Sequence, residues 1–240
     1  MSDSLVIIPT YNEKENVEKI IRKVFSLKKS FHVLIVDDSS PDGTAEIVKT
    51  LQKEFPENLL LLSRTIKNGL GRAYIDGFGL ALQKEYAYIF EMDADFSHNP
   101  DDLIRLYNAC ALDGADMSVG SRYVKGGAVK NWPTSRLLLS YFASLYVRII
   151  LLINIKDATA GFKCYHRRVL EKINFNTIKF VGYAFQIEMK YTAIRLGFKI
   201  KEVPIIFVDR IEGYSKMSTS IFKEALLGVL KMKFTKIYPK

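Results

Sequence analysis

The feature that most constrains the fold is an alternation of short apolar runs with segments of helical periodicity over residues 5–95. The apolar runs occupy residues 5–9, 32–38, 59–63 and 87–95. The segments between them carry helical apolar stripes: Val17, Ile20, Ile21, Val24 and Leu27; then Ile47, Val48, Leu51 and Phe55; then residues 70–84. Strands joined by helices of this length need right-handed crossovers and lie parallel. The sequence therefore predicts an α/β fold with a mostly parallel central sheet flanked by helices.

Local signals refine two of these helices. Asn12 and Glu15 have the spacing of an N-cap and its capping-box partner, so the first helix is predicted to begin directly after Asn12. Gly77 and Gly79 lie inside the third helix, where glycine indicates close packing rather than flexibility. The loop of residues 39–44, SSPDGT, has the composition of a turn that leads into the second helix.

Polar side chains lie at the carboxyl ends of the predicted strands, namely Tyr11, Asp37, Asp38, Asp93 and Asp95. Ligands of parallel sheets bind at the carboxyl ends of the strands. These five residues are therefore expected to converge on one cleft.

Asp93 and Asp95 can share one divalent cation, because alternate carboxylates leaving a strand suit Mg²⁺ or Mn²⁺. Such a cation would neutralise a departing nucleoside diphosphate. Tyr11 and Glu13 are expected to meet a nucleobase, ribose or sugar, although the same segment also fits a plain strand-to-helix loop. Asp38 is either a capping acid or an acceptor for base and ribose groups.

The net charge of +9 indicates an anionic partner, which could be nucleic acid, a phospholipid surface or a phosphorylated substrate. The basic residues are spread along the chain without a compact tract or nucleic-acid-binding motif, so we expect no nucleic acid. Cys110 and Cys164 lack CxxC spacing, which argues against a disulfide framework or zinc site and for a reducing compartment. The N-terminus lacks the pattern of a signal peptide. His32, His98 and His166 are predicted to be structural or surface residues.

Two segments indicate a membrane surface. Residues 137–155 are the most hydrophobic stretch and are long enough to span a bilayer, but Arg148 would be costly in mid-span. A helix that lies at the interface or packs on the sheet is the better interpretation. In residues 219–238, apolar residues alternate with lysines (Lys223, Lys231, Lys233 and Lys236), which predicts a basic amphipathic helix.

Eight motifs occur in one order: PTYNE, VDDSSPDGT, NGLGRAY, EMDADFSHNP, GSRYVKGG, AGFKCYHR, GYAFQIEM and VPIIFVDRIEGYSKMS. Together they resemble the dolichyl-phosphate mannosyltransferase (polyprenyl-phosphate mannose synthase) group of the family 2 glycosyltransferases, over residues 5 to 220. The resemblance implies a GT-A nucleotide-sugar fold, dependence on Mg²⁺ or Mn²⁺, and an inverting transfer of mannose from GDP-mannose to a polyprenyl phosphate. It implies a GT-A domain at 1–218, with a nucleotide half (1–120) and an acceptor half (121–218), and a basic tail at 219–240.

The resemblance also implies roles for individual residues. Donor contacts are expected from Pro9, Tyr11, Glu13, Val36 and Asp38. The diphosphate and metal are expected on Asp93, Ala94 and Asp95, with Ser97 at the position of a further metal ligand. Arg122 and Arg136 are expected to meet the acceptor phosphate, and Lys163, Arg210 and Lys216 to close over the donor diphosphate. Asp95, Arg122 and Arg136 are the expected catalytic residues.

The chemistry that this assignment requires is consistent with the residue types. A phosphate monoester has a second pKa of about 6, so the acceptor is largely dianionic at neutral pH and needs no general base. Positioning and charge neutralisation suffice, which suits a site rich in arginine and metal-binding acids. The alternative interpretation of Arg122 and Arg136 is that each forms an ion pair at the surface. Phosphate binding is favoured, because arginine binds phosphate bidentately and both residues precede the apolar 137–155 segment.

Other functions remain open at this point. The base pocket does not distinguish GDP-mannose from UDP-glucose, so a polyprenyl-phosphate glucosyltransferase is the nearest alternative. The alternative that is not an enzyme is a non-catalytic nucleotide-binding subunit of a membrane complex. A membrane partner subunit is compatible with the enzyme and with the non-catalytic subunit. A dinucleotide-dependent oxidoreductase is disfavoured, because NGLGRAY lacks GxGxxG spacing after the first strand. The expected location is cytoplasmic and peripheral, on the cytoplasmic face of a membrane.

Overall fold

Nine strands and eight α-helices are present in the computed structural model, which describes residues 2–209, 219–235 and 240. The strands are β1 (Ser4–Thr10), β2 (His32–Asp37), β3 (Leu59–Ser63), β4 (Tyr88–Glu91), β5 (Met117–Ser121), β6 (Ala128–Lys130), β7 (Lys163–His166), β8 (Ile200–Pro204) and β9 (Ile206–Val208). The helices are α1 (Val17–Phe25), α2 (Thr44–Glu54), α3 (Leu70–Gln83), α4 (Asp102–Ala111), α5 (Thr134–Leu151), α6 (Arg167–Lys172), α7 (Tyr183–Arg195) and α8 (Thr219–Phe234), with a 3-10 turn at Phe175–Thr177.

Seven of these strands form one sheet in the order β3-β2-β1-β4-β7-β5-β8. β7 runs antiparallel to β4 and β5, whereas the other neighbouring pairs are parallel. β6 and β9 form a separate parallel pair. The predicted α/β fold with a mostly parallel sheet is confirmed, and the β1–α1–β2–α2–β3–α3–β4 alternation produces its first half.

Side chains of the central strands alternate between two apolar cores, one on each face of the sheet. Val6 and Ile8 of β1 lie in the core formed with α1, α2 and α4, while Leu5 and Ile7 lie in the core formed with α3, α6 and α7. All four are fully buried. Each contributes about 1.5–3 kcal/mol of hydrophobic stabilisation. A central strand buried on both faces explains why this run is apolar without alternation.

Several local expectations differ from the structure. α1 begins at Val17 rather than directly after Asn12, which has a left-handed φ of 56° and donates its N–H to Ser40 Oγ. β4 ends at Glu91, so Asp93 and Asp95 lie in a loop. Gly77 does pack closely, since a Cβ there would lie 2.8 Å from Ile7 Cγ2. A Cβ at Gly79 would meet no atom within 4 Å, so the expected close packing is absent there among the residues described.

α5 and α8 form the C-terminal layer. The inner side of α5 contributes Val147 and Leu151 to a third core, which also includes Val229 and Met232 of α8. The other side of α5 is exposed, with Leu138, Leu139, Tyr141, Phe142 and Ile149 on the surface. In the described chain α5 is the one helix long and apolar enough to cross a membrane by length and composition, and 17% of it is buried. A helix is present in the tail as α8, Thr219–Phe234, within the predicted range of 219–238, and Lys236 lies outside the described residues.

Candidate active site

The loops after β1 and β2 are tied together by Asp37, which ends β2. Its buried carboxylate accepts hydrogen bonds from Thr10 Oγ1 (2.9 Å), Ser40 Oγ (2.6 Å) and Ser40 N–H (2.9 Å). The β1 loop also rests on the β2 loop, because Glu13 N–H donates to Thr44 Oγ1 at 3.1 Å. Asp37 therefore organises both loops.

Tyr11 and Glu13 lie partly exposed at this edge, as predicted for donor contacts. The ammonium of Lys67 lies 3.3 Å from the ring centroid of Tyr11, close enough for a cation–π interaction. Pro9 is partly buried near the end of β1. Val36 has no accessible surface, because it lies in β2 between two neighbouring strands and beneath α3. The expected donor contact from Val36 stays a prediction.

Asp38 forms a buried ion pair with Arg64, at 2.7 Å between Asp38 Oδ1 and Arg64 Nη1. Burial raises the pKa of Asp38, with Arg64 opposing the shift and Asp37 adding to it. Arg64 follows β3 and also lies 3.0 Å from Asp76. Arg64 was not predicted as a site residue, although it directly follows a predicted strand, the same signal that identified the acids. A ribose or base bound by Asp38 would share this carboxylate with Arg64.

The loop after β4 carries the predicted metal ligands. The Asp93 side chain is 40% exposed, and the Asp95 side chain is partly exposed. Ala94 is buried, so its side chain packs inward between the two acids. Ser97 N–H donates to Asp95 Oδ1 at 3.1 Å, and Phe96 takes a left-handed φ of 57° that turns the chain. We call residues 93–98 the acidic loop.

The donor set of the acidic loop fits a hard divalent cation. Ser97 Oγ is buried and has no hydrogen-bond partner among the described residues, so a ligand oxygen is available beside the two carboxylates. Burial, with the nearby charges of Asp93, Glu91 and Asp95, raises the pKa of Tyr74 well above its usual value. In the described part of the chain, no group of three or more His, Cys, Asp or Glu residues could hold a metal. Carboxylates completed by substrate phosphates and water suit Mg²⁺ or Mn²⁺.

Arg122 directly follows β5 and is held by Asp157. Its Nε and Nη2 donate to the two Asp157 carboxylate oxygens at 2.7 and 2.6 Å, and Nη2 also donates to Thr159 Oγ1. Burial opposes the Arg122 charge, but the Asp157 carboxylate outweighs it, so the pKa of Arg122 is raised and that of Asp157 is lowered. Arg122 is therefore a buried ion-pair partner rather than a surface one, and its contact with an acceptor phosphate stays a prediction.

Arg136 lies in the first turn of α5. Its Nη1 pairs with Asp209 Oδ2 at 2.9 Å, and its side chain is 28% exposed. The Arg136 guanidinium lies 4.1 Å from the ring centroid of Trp132, and the Arg122 guanidinium lies 5.4 Å from the same centroid. The structure thus brings the two predicted acceptor residues to one indole ring.

Lys163 differs most from its expected position. Its ammonium is fully buried and donates to Glu91 Oε1 (2.9 Å), Tyr165 Oη (3.1 Å) and Gln186 Oε1. β7, which carries Lys163, is enclosed between β4 and β5 and is covered by α7. The expected contact of Lys163 with the donor diphosphate therefore stays a prediction, and in this structure its ammonium is engaged by Glu91, Tyr165 and Gln186. Arg210 and Lys216, expected in the same role, lie outside the described residues.

Four buried polar groups near the site had no sequence assignment or were assigned no role: Glu91, Asp157, Lys190 and His98. Lys190 of α7 donates to the Ala160 carbonyl at 2.6 Å. Burial and the neighbouring Lys163 lower its pKa well below the usual value. Asp157 follows the apolar run of residues 137–155 after one intervening lysine, which is a signal that could have identified it, but the periodicity around Lys190 carries no comparable signal.

Comparison with known proteins identifies the family of this chain. The sequence profile described as Glycosyl transferase family 2 matches residues 5–174, more than half of the chain. Polyprenol monophosphomannose synthase of Mycolicibacterium smegmatis is 47% identical over 226 residues, 94% of this chain and 85% of the relative. Undecaprenyl-phosphate mannosyltransferase of Micrococcus luteus is 45% identical over 227 residues, 95% of this chain and 92% of the relative.

Solved structures show the same fold. Glucosyl-3-phosphoglycerate synthase from Mycobacterium tuberculosis has a TM-score of 0.68 at 15% identity, with 95% of this chain and 79% of that chain covered. Mannosyltransferase PcManGT from Pyrobaculum calidifontis has a TM-score of 0.58 at 17% identity, with 96% and 69% covered. At such identities the likeness concerns the fold alone, and it confirms the predicted GT-A architecture. The chain is therefore a glycosyltransferase that belongs to glycosyl transferase family 2, in the polyprenyl-phosphate mannosyltransferase group that its motifs predicted.

Proposed function

We propose that this enzyme transfers mannose, with inversion, from GDP-mannose to a polyprenyl phosphate and uses Mg²⁺ or Mn²⁺. The observation that carries the proposal is the position of Arg136. This arginine lies in the first turn of α5, beside Arg122 and Trp132, and α5 continues as a helix with an exposed apolar side. A phosphate-binding group at the start of such a helix suits a substrate with an anionic head and a lipid tail.

The relatives support the sugar and the acceptor class. The two curated relatives, at 45% and 47% identity, are named for mannosyl transfer to undecaprenyl phosphate and for polyprenol monophosphomannose synthesis. PcManGT, which shares the fold, was solved with GDP-Man and Mn²⁺. These names favour GDP-mannose over UDP-glucose as the donor.

In the proposed reaction, the donor lies along the strand ends, with its base near Tyr11 and Glu13. Asp93, Asp95 and Ser97 would hold the metal, which neutralises the leaving diphosphate. Arg136 would hold the acceptor phosphate, whose oxygen attacks C1 of mannose while the bond from C1 to the diphosphate oxygen breaks. The products are polyprenyl phosphate mannose and GDP. The acceptor is already ionised, so the chain needs to position and neutralise charge rather than remove a proton.

We also propose that the two halves of the fold divide these tasks. Residues 1–120 would hold the nucleotide and residues 121–218 the acceptor, with 219–240 as a basic tail. Because Arg122 is buried in an ion pair with Asp157, we assign it a positioning role for the acceptor site, which makes Arg136 the group that contacts phosphate.

The donor and acceptor classes can be tested directly with purified enzyme. We expect transfer of labelled mannose from GDP-mannose to undecaprenyl or dolichyl phosphate in liposomes, and about a hundredfold lower rate with UDP-glucose, because the donor pocket discriminates by specific contacts. Dephosphorylated polyprenol is the matched control acceptor and should remain unlabelled. A preference for UDP-glucose would establish the glucosyltransferase alternative. Donor binding without transfer to any acceptor would favour a non-catalytic subunit, and transfer only after a membrane protein is added would indicate a partner subunit.

We propose that the enzyme binds peripherally to the cytoplasmic face of a membrane through α5 and α8. The exposed side of α5 presents five large apolar residues, and α8 adds Leu227, Leu230 and Phe234, the last of which is 84% exposed. Lys231 is exposed on the same helix. Apolar side chains that enter the headgroup region, with lysines near anionic lipid, are the features of an interfacial helix.

Membrane binding should weaken when α5 loses its exposed apolar side. We expect the Leu139→Asp/Phe142→Asp double variant to show at least about tenfold weaker association with anionic vesicles in flotation, because two charges would have to enter the interface. GDP binding should be unchanged. Leu112→Asp is the matched control, since Leu112 is 75% exposed at the end of α4, outside both helices. Wild-type protein that stays in solution beside vesicles containing polyprenyl phosphate would contradict this binding surface.

A further inference from the structure

His98 closes the acidic loop and is fixed by aromatic contacts on two sides. Its ring stacks on Phe162, with centroids 4.9 Å apart and planes 18° apart, and it meets Phe207 edge-on at 5.5 Å. The imidazole is almost fully buried. A ring held in this way has one orientation, so its two nitrogens have fixed surroundings.

Nδ1 of His98 accepts the backbone N–H of Asp93 at 3.3 Å. β4 ends at Glu91, and the N–H of the next residue, Met92, still donates to the Ile7 carbonyl of β1 at 3.2 Å. The N–H of Asp93, the next residue, donates to His98, which therefore binds the backbone directly after this edge of the sheet. The accepted bond places the ring proton on Nε2.

The remaining bonds of the acidic loop fix its other end. Ser97 N–H donates to the Asp95 carboxylate at 3.1 Å, and Val208 N–H of β9 donates to the Ser97 carbonyl at 3.3 Å. Phe207, which contacts His98, is the residue before Val208 on that strand. The loop is thus held to β9 at Ser97 and is closed on itself between Asp93 and His98.

We propose that His98 is a positioning residue that holds Asp93, and through it the proposed metal site, in the geometry for cation and diphosphate binding. The inference rests on the proposed function, because that function assigns the metal to Asp93 and Asp95. His98 acts through the backbone rather than as a ligand, since its Nδ1 already accepts Asp93 N–H and the ring is buried between two phenylalanines. It sets the loop before any substrate is present.

Two substitutions of His98 distinguish the effect of its hydrogen-bond acceptor from the effect of its ring. His98→Asn keeps an acceptor oxygen near the Nδ1 position, whereas His98→Leu keeps apolar volume and removes the acceptor. We expect His98→Leu to weaken Mn²⁺ binding in the presence of GDP about tenfold, the effect of one lost hydrogen bond to a partly buried N–H. His98→Asn should remain within about threefold of wild type. Mn²⁺ binding is read from the electron paramagnetic resonance signal of the free ion, and amide hydrogen exchange at Asp93 should accelerate only in the leucine variant.

A second buried histidine provides the matched control. His32 lies in β2, and its Nδ1 is 2.7 Å from Tyr86 Oη, away from the acidic loop. His32→Leu should lower the melting temperature and leave Mn²⁺ affinity unchanged. Equal Mn²⁺ affinity in wild type and His98→Leu would overturn the role of His98 while leaving the proposed function intact. Equal loss in the asparagine and leucine variants would also overturn it, because the ring and not the acceptor would then matter. Failure of wild type to bind Mn²⁺ with GDP would instead contradict the proposed function.

Discussion

Asp95→Ala is expected to reduce mannosyl transfer by about a thousandfold, because the carboxylate that would help neutralise the leaving diphosphate is lost. Asp95 is partly exposed and accepts one backbone hydrogen bond, from Ser97 N–H. Its removal also relieves repulsion with Asp93 in the absence of metal. We therefore expect little change in the melting temperature measured by circular dichroism.

Turnover is measured with GDP-mannose and polyprenyl phosphate, with and without a chelator. Asp101→Ala is the matched control, since Asp101 is an exposed acid in a surface pair with Lys23 and follows the acidic loop closely in sequence. This variant should keep wild-type turnover. Chelation should abolish transfer, and added Mg²⁺ or Mn²⁺ should restore it. Near-normal turnover after chelation, or in Asp95→Ala, would refute metal assistance by this loop.

Lys163→Met is expected to cost about 3–5 kcal/mol of the free energy of unfolding, because it leaves the Glu91 carboxylate buried without its counter-charge. Both side chains have no exposed surface, and Tyr165 Oη also donates to Glu91 at 2.6 Å. Urea unfolding at neutral pH measures the loss. The double variant Lys163→Met/Glu91→Gln should recover most of it, since no buried charge then remains.

Lys201→Ala is the control for this second prediction. Lys201 and Asp113 form a 2.7 Å pair in which both side chains are half exposed, so its loss should cost less than about 1 kcal/mol. Equal costs at the two sites would show that the buried pair does not stabilise the sheet as the geometry indicates. GDP-mannose affinity, measured at urea concentrations at which Lys163→Met is still folded, tests whether Lys163 contacts the donor. A large loss of affinity would support that contact.

Much of the first half could be predicted because its signals are local. β1, β2 and β3 agree with the predicted apolar runs to within one residue at each end, since a strand covered on both faces must be apolar throughout. The placement of Tyr11 and the Asp93–Asp95 pair at strand ends also followed, because parallel strands share one carboxyl edge. The start of α1 was missed because Asn12, with a left-handed backbone, bonds to Ser40 on another loop.

The sequence by itself determined the alternation of strands and helices, the carboxyl edge where acidic side chains gather, and the apolar helix that precedes residue 152. Only the tertiary structure decided which charged groups remain accessible. β7 inserts antiparallel between β4 and β5, which buries Lys163 against Glu91, 72 residues away in sequence. Arg122 is likewise paired with Asp157, 35 residues away. Periodicity indicates which residues share a face of one helix or strand. Ion pairs depend on which helices and strands become neighbours, and that is decided only in the folded protein.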